Sequence, residues 1–182
     1  HATIRRQRQM CIRDSQNTDI TVLEGIKEYR EYLVQNNKDK LRDFEGSQLI
    51  RDHDATHVIF GLDTTIEQES MLDTWVLWGT EFKWKYLLSY IGKQELKELQ
   101  KKLFKEIGVL KLIYTALKIA PIKLKIILRA LKMKKKWPFI APKNLLEKRI
   151  CDVRAEYGII ILSKEERHVK NPLEWSGSIK AN

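Results

Sequence analysis

Apolar side chains recur every three or four positions along most of this chain, which is the period of an amphipathic α-helix. The first such run follows Thr21 and Glu24, whose spacing is typical of a capping box at a helix start. Helices are predicted over residues 21–35, 48–60, 65–91, 94–107, 109–131 and 143–157. We therefore expect an all-α, single-domain helical bundle over residues 16–165, followed by a loose polar tail over residues 166–182.

The run from residue 109 to residue 131 combines a wide apolar face with a narrow basic stripe. Pro121 interrupts it, so it forms either two helices or one kinked helix. Residues 101–136 hold twelve basic side chains and one acidic side chain, a net charge of +11, whereas the whole chain carries +10. This asymmetry indicates contact with an anionic surface. The residues expected to make that contact are Lys111, Lys118, Lys125, Lys132, Lys134, Lys135, Lys136 and Trp137.

Length and cysteine content limit the class of protein. A chain of 182 residues suits one domain, and two distant cysteines without a C-x-x-C pair favour a reducing compartment. No run of about 18 uncharged apolar residues is present, so a membrane-spanning helix is not expected. Residues 1–15 resemble translated adapter sequence, and we expect a non-native or disordered segment there. An Arg-rich mitochondrial transit peptide is the alternative.

His53 and His57 lie four residues apart, so a helix places both imidazoles on one face. The same spacing holds a divalent metal in H-E-x-x-H metalloproteases. Asp54 stands beside the first histidine and can serve as a metal ligand or as a catalytic base. A bare pair of histidines at this spacing is more often an ordinary surface or core pair, so further ligand-type residues are needed.

Glu69 supplies such a residue if the chain turns back between it and the histidines. On one unbroken helix it would lie about 120° around the axis from them. Gly61 ends the first helix, however, and a capping box at Thr64 or Thr65 opens the next. The resulting helical hairpin returns Glu69 to the histidines. The predicted metal ligands are His53, Asp54, His57 and Glu69.

An aromatic stripe follows Glu69 along the same predicted helix. Trp75, Trp78, Phe82 and Tyr86 recur at spacings of three or four residues. The simpler interpretation is that these side chains pack into the core. The more specific one is that part of the stripe lines an elongated apolar pocket that leads to the metal and binds lipid.

Two segments carry a resemblance to a known family. His53, Asp54, His57 and Glu69 form an H-D-x-x-H-x(11)-E pattern that resembles the signature of the fourth ubiquinone (coenzyme Q) biosynthesis protein family. The segment 150–159 resembles that family's C-terminal L-x-x-V-R-x-x-L-G-I segment, and the likeness covers residues 20–162. Gln68 replaces a frequent glycine and Thr56 an aromatic residue, but neither is a ligand.

The resemblance implies a helical fold with a long apolar cavity and a divalent metal, and a role in ubiquinone biosynthesis. It implies that the reaction removes the C1 carboxylate of a polyprenylated benzoate ring and hydroxylates that carbon. Zinc fits a closed tetrahedral ligand set, whereas iron or another redox metal suits oxygen chemistry better. The implied partners are a polyprenylated ring lipid, an anionic membrane surface and other ubiquinone-biosynthesis proteins, with a homodimer left open.

The expected location is peripheral, on the cytoplasmic face of a bacterial inner membrane or the matrix side of the mitochondrial inner membrane. A non-catalytic scaffold for a biosynthetic complex is the main alternative. A nucleic-acid-binding protein is disfavoured, because the basic residues adjoin a broad apolar face. A His-Asp phosphohydrolase would need an upstream histidine, and His1 alone precedes the motif. A plain helical bundle without chemistry is the remaining alternative.

Overall fold

The computed structural model describes residues 15–35, 48–83 and 94–173. These residues form helices and no sheet, which confirms the all-α prediction. The longer helices are α1 (Val22–Gln35), α2 (Leu49–Phe60), α3 (Ile66–Gly79), α4 (Gln94–Ile107), α5 (Val109–Lys118) and α6 (Ala120–Leu131). The shorter ones are α7 (Lys143–Leu146), α8 (Ile150–Tyr157) and α9 (Lys164–Arg167).

Local sequence signals explain where several helices begin and end. Thr21 and Glu24 form both halves of the predicted capping box, with N–H to side-chain oxygen distances of 2.8 and 3.1 Å. Gly108 separates α4 from α5, and Ile119 separates α5 from α6, which has Pro121 in its first turn, so the predicted run 109–131 is two helices. Proline is tolerated near the start of α6 because the first helical N–H groups have no partner within the helix.

The helix that bears both histidines lies at the centre of the molecule. Every residue from 54 to 62 is buried, so α2 is enclosed on all sides near its C-terminal end. It packs against α1 and α3, and α3 packs against α6. The core that surrounds it includes Val22, Ile26, Val58, Ile59, Phe60, Met71, Leu72, Trp75, Ile126, Ile150, Val153 and Leu162.

Long-range backbone pairing changes two predicted boundaries. Helix α3 ends at Gly79 instead of continuing to residue 91, because Thr80 becomes extended and forms a parallel bridge with Trp137. The predicted helix 143–157 is two helices, because Arg149 is extended and forms a bridge with Thr21. Residues 84–93, which the longer α3 would have included, lie outside the described residues.

The first part of the predicted loose tail is docked on the molecule. Helix α9 crosses the expected boundary, and Arg167 at its end is buried. The Leu173 amide donates to Oε1 of Glu67 at 2.8 Å. These contacts fix residues 164–173 against the bundle.

Candidate metal centre

The turn between α2 and α3 brings the predicted ligands together. Gly61 adopts a left-handed conformation with φ 65°, which glycine tolerates without steric cost, and ends α2. Thr65 caps α3 by accepting from the Gln68 amide at 3.3 Å, so the second of the two possible capping positions is the one used. The Gln68 side chain in turn accepts from the Asp63 amide at 2.8 Å.

Three of the four predicted ligands converge across this hairpin. Ligand-type atoms of His53, His57 and Glu69 all lie within 4.8 Å of one another. Nε2 of His57 is 3.5 Å from Oε1 of Glu69. Two ligands of a tetrahedral ion with bonds of about 2.1 Å stand about 3.4 Å apart, so this pair already has the required spacing. Small side-chain rotations would complete the set.

A backbone carbonyl orients the buried imidazole of His57. Its Nδ1 lies 3.2 Å from the carbonyl oxygen of Leu62, and a carbonyl can only accept, so Nδ1 carries the proton. Nε2 then keeps its lone pair and faces Glu69. A hydrogen bond from the second ring nitrogen to a carbonyl is typical of metal-binding histidines. Tyr29 stacks on the same ring with a centroid distance of 4.8 Å.

The electrostatics of the ligands favour a bound cation. Burial lowers the pKa of His53 to about 4, so its imidazole is neutral at pH 7 and available as a ligand. Burial, together with the charges of Asp73, Asp63 and Asp54, raises the pKa of Glu69 well above its ordinary value. A divalent cation would offset this concentration of negative charge.

Asp54 does not join the three converging ligands. It is buried, and its Oδ2 accepts from Nε of Arg30 at 2.7 Å across the α1–α2 contact. Its charge contributes to raising the pKa of Glu69. Of its two predicted roles, metal ligand and catalytic base, this arrangement leaves the second.

The three predicted lipid-pocket residues that the structure describes do not share one surface. Trp75 is fully buried and stacks on Phe60, with centroids 4.7 Å apart, as the simpler core interpretation predicted. Trp78 is 44% exposed, and Phe82 packs edge-on against Phe139. Tyr86 lies outside the described residues. A groove of about 650 Å³ instead runs along α1, and Arg30 lies on it.

Five of the predicted membrane-surface lysines bind the protein itself. Their partners are the Lys170 carbonyl for Lys118, Glu166 for Lys125, the Ala155 carbonyl for Lys134, Glu156 for Lys135 and the Trp78 carbonyl for Lys136. All seven predicted lysines, including Lys111 and Lys132, remain exposed. Trp137 is fully buried, so the prediction that it contacts a membrane is wrong. Its amide and carbonyl pair with Gly79 and Glu81, which draws the ring inward.

Helices α5 and α6 turn their largest apolar side chains outward. Leu110 is 83% exposed and Leu117 68%, whereas the small polar Thr115 faces inward on α5. The exposed apolar residues on these two helices are Val109, Leu110, Ile113, Tyr114, Leu117, Leu124, Leu128 and Leu131. We call this set the outward apolar face. Within the described ranges, no helix combines the length and the apolar content that crossing a membrane requires.

No family model, curated protein or solved structure matches the chain. The candidate centre therefore depends on its own geometry. Sequence reasoning missed three residues that support it: Tyr29, Arg154 and Arg167. Arg154 stands in the second motif without an assigned role, and Arg167 was placed in the tail. No pattern in the sequence indicates that Tyr29 stacks on His57.

Proposed function

We propose that this chain is a metal-dependent, peripheral membrane protein of ubiquinone biosynthesis that binds polyprenylated benzoate rings. The main support for the proposal is the convergence of His53, His57 and Glu69. These residues come from two helices, and their ligand-type atoms lie within 4.8 Å of one another. The motif from which they were predicted resembles that of a family with this role. The metal would be held by the two imidazoles and the carboxylate.

The residues around the ligands suit chemistry on an anionic ring. A bound divalent metal would polarise a carboxylate or phenolate oxygen and stabilise developing negative charge. His57 is held in the tautomer that presents Nε2, and the carboxyl group of Asp54, which is bonded to Arg30, is a candidate proton acceptor. Replacing a ring carboxylate by a hydroxyl is a two-electron oxidation, so an oxidant such as dioxygen is a required co-reactant. If the protein binds metal but does not catalyse this reaction, the alternative is a non-catalytic scaffold for a biosynthetic complex.

The outward apolar face supports the membrane part of the proposal. Contiguous apolar patches larger than a few hundred Å² are uncommon on soluble monomers and mark contact with lipid or protein. The face lies within the segment 101–136, whose net charge of +11 suits an anionic membrane surface. A polyprenylated substrate dissolves in the bilayer, so a protein that binds it gains by residing there.

Metal analysis tests the centre directly. The purified protein should hold one divalent ion per chain, and His57→Ala should lose it, whereas the exposed histidine variant His168→Ala should keep it. Metal at about 100 times its Kd should stabilise the fold by about 2.7 kcal/mol. Full stoichiometry in a folded His57→Ala variant would exclude this ligand set. Release of carbon dioxide from a prenylated hydroxybenzoate would then separate an enzyme from a scaffold.

Vesicle sedimentation tests the membrane surface. The protein should pellet with vesicles of phosphatidylglycerol and phosphatidylcholine, and Leu110→Glu with Leu117→Glu should return it to the supernatant. Leu23→Glu, at an exposed leucine on α1, is the matched control. Binding to single-stranded DNA in place of vesicles would favour the nucleic-acid alternative. A dimer that dissociates in the double variant would assign the face to contact between two copies of the chain.

A further inference from the structure

Two buried arginines bind the C-terminal end of α2, the helix that carries His53 and His57. The last carbonyls of an α-helix have no partner within it and need donors from elsewhere. Arg154 is 0% exposed and lies on α8, far along the chain. Its Nε donates to the Ile59 carbonyl at 2.9 Å and its Nη2 to the Val58 carbonyl at 3.0 Å. One guanidinium group thus donates hydrogen bonds to the carbonyls of the two residues that directly follow His57.

Arg167 continues this arrangement on the next turn of the chain. It is buried at the end of α9, and its Nη1 donates to the Gly61 carbonyl. Burying a guanidinium costs free energy unless its donors are satisfied, so two such groups at one helix end indicate a requirement for fixed geometry there. The fork of donors on arginine fits this task, and the single ammonium of lysine does not reproduce it.

The segment held by these arginines is the one that orients His57. The Leu62 amide donates to the His57 carbonyl at 3.1 Å, and Nδ1 of His57 donates to the Leu62 carbonyl at 3.2 Å. Main chain and ring of His57 are therefore both bonded to one residue of the Gly61–Leu62 turn. A displacement of this turn would move the Leu62 carbonyl away from Nδ1. The imidazole of His57 could then change its tautomer and rotate.

We propose that Arg154 and Arg167 are positioning residues of the metal centre, which keep the Leu62 carbonyl on Nδ1 of His57 and thereby keep Nε2 turned towards Glu69. This inference takes the metal-binding role of His57 from the proposed function. It assigns a role to Arg154 and Arg167 that their position in the chain does not suggest. Neither arginine needs to touch metal or substrate.

Cobalt(II) binding provides the first measurement. Loss of an outer partner of a metal ligand typically weakens affinity 10- to 100-fold. Arg154→Lys and Arg167→Lys should each show a loss of this size in chelator competition, together with an altered visible absorption spectrum of the bound cobalt. Arg149→Lys, directly before the helix that carries Arg154 but exposed and paired with Asp152, should bind cobalt as the original protein does. Circular dichroism establishes that each variant is folded.

The His57 tautomer provides the second measurement, and it needs no metal. At a pH where imidazoles are neutral, ¹⁵N spectra of the metal-free protein should show the Nδ1–H tautomer of His57. Arg167→Lys should give a mixture of tautomers, and this variant serves if Arg154→Lys does not fold. A folded Arg167→Lys protein with the original tautomer and the original cobalt affinity would overturn the inference.

The two proposals fail in different ways. If the original protein binds no cobalt, the proposed function fails, and the tautomer comparison alone decides the role of the arginines. A mixed tautomer confined to the arginine variants would support that role, and an unchanged tautomer would refute it. If cobalt binds and is lost only in His57→Ala, the metal centre stands and the arginines are not positioning residues.

Discussion

The pH dependence of stability should report directly on His53. In the metal-free protein, burial lowers the pKa of this imidazole from 6.5 to about 4. The unfolded chain exposes it to water, where it takes up a proton at the higher pH. Between about pH 6.5 and pH 4 the unfolded state therefore binds more protons than the folded state, and the free energy of unfolding falls as pH falls.

The size of this effect follows from the shift. Each pKa unit corresponds to about 1.4 kcal/mol, so the change from 6.5 to about 4 gives at most roughly 3 kcal/mol. The side chain keeps part of its surface exposed, which reduces this contribution. The contribution of neutral His53 to stability is fully present above pH 6.5 and is lost at about pH 4. Its size is a large fraction of the 5–15 kcal/mol stability of a typical domain.

Urea unfolding with a chelator present, at intervals between pH 7.5 and pH 4, measures the effect. The variant His53→Asn should lose less stability over this range than the original protein, and the difference should approach the value above. His168→Asn, at an exposed position, should follow the original curve. Parallel curves for His53→Asn and the original protein would show that His53 is solvated, and the account of its neutral state would fail.

Three further variants test the surroundings of the centre. Burial and nearby carboxylates raise the pKa of Glu69, so the original protein should lose stability as the pH rises above the pKa of an exposed glutamate. Glu69→Gln should not show this loss, and urea unfolding at increasing pH measures it. Gly25→Ala should destabilise by about 1–2 kcal/mol in urea, because its Cβ would lie 2.6 Å from Cγ1 of Val58. Arg30→Gln should destabilise by about 2 kcal/mol in thermal unfolding, because it removes the cation bonded to buried Asp54.

The helix positions that sequence predicted well are those that local chemistry determines. The capping box at Thr21 and Glu24 satisfies N–H groups within one turn, and Gly61 terminates α2 through its own backbone conformation. Both signals act over a few residues, so they can be read without the fold. The convergence of Glu69 on the histidines followed for the same reason, because a short turn between two helices leaves few alternative arrangements.

The positions that sequence predicted poorly depend on partners distant in the chain. Nothing near Gly79 indicates that its carbonyl will accept from the amide of Trp137. The same holds for the basic segment, where nothing near Lys125 indicates that it will pair with Glu166 at 3.1 Å. A charge pattern counts side chains but not the acidic groups that the fold places beside them.

This redistribution of charge changes the expected mode of membrane binding. Periodicity shows that α5 is amphipathic, but it cannot show which side faces the core, and the apolar side faces outward. Two of the seven predicted lysines, Lys125 and Lys135, pair with the carboxylates of Glu166 and Glu156, which offsets part of the positive charge that an anionic leaflet would meet. Apolar insertion is weakened little by salt, whereas the attraction of exposed lysines is screened over about 10 Å at 0.1 M salt. Lipid contact through Leu110 and Leu117 should therefore persist at salt concentrations that abolish purely electrostatic binding.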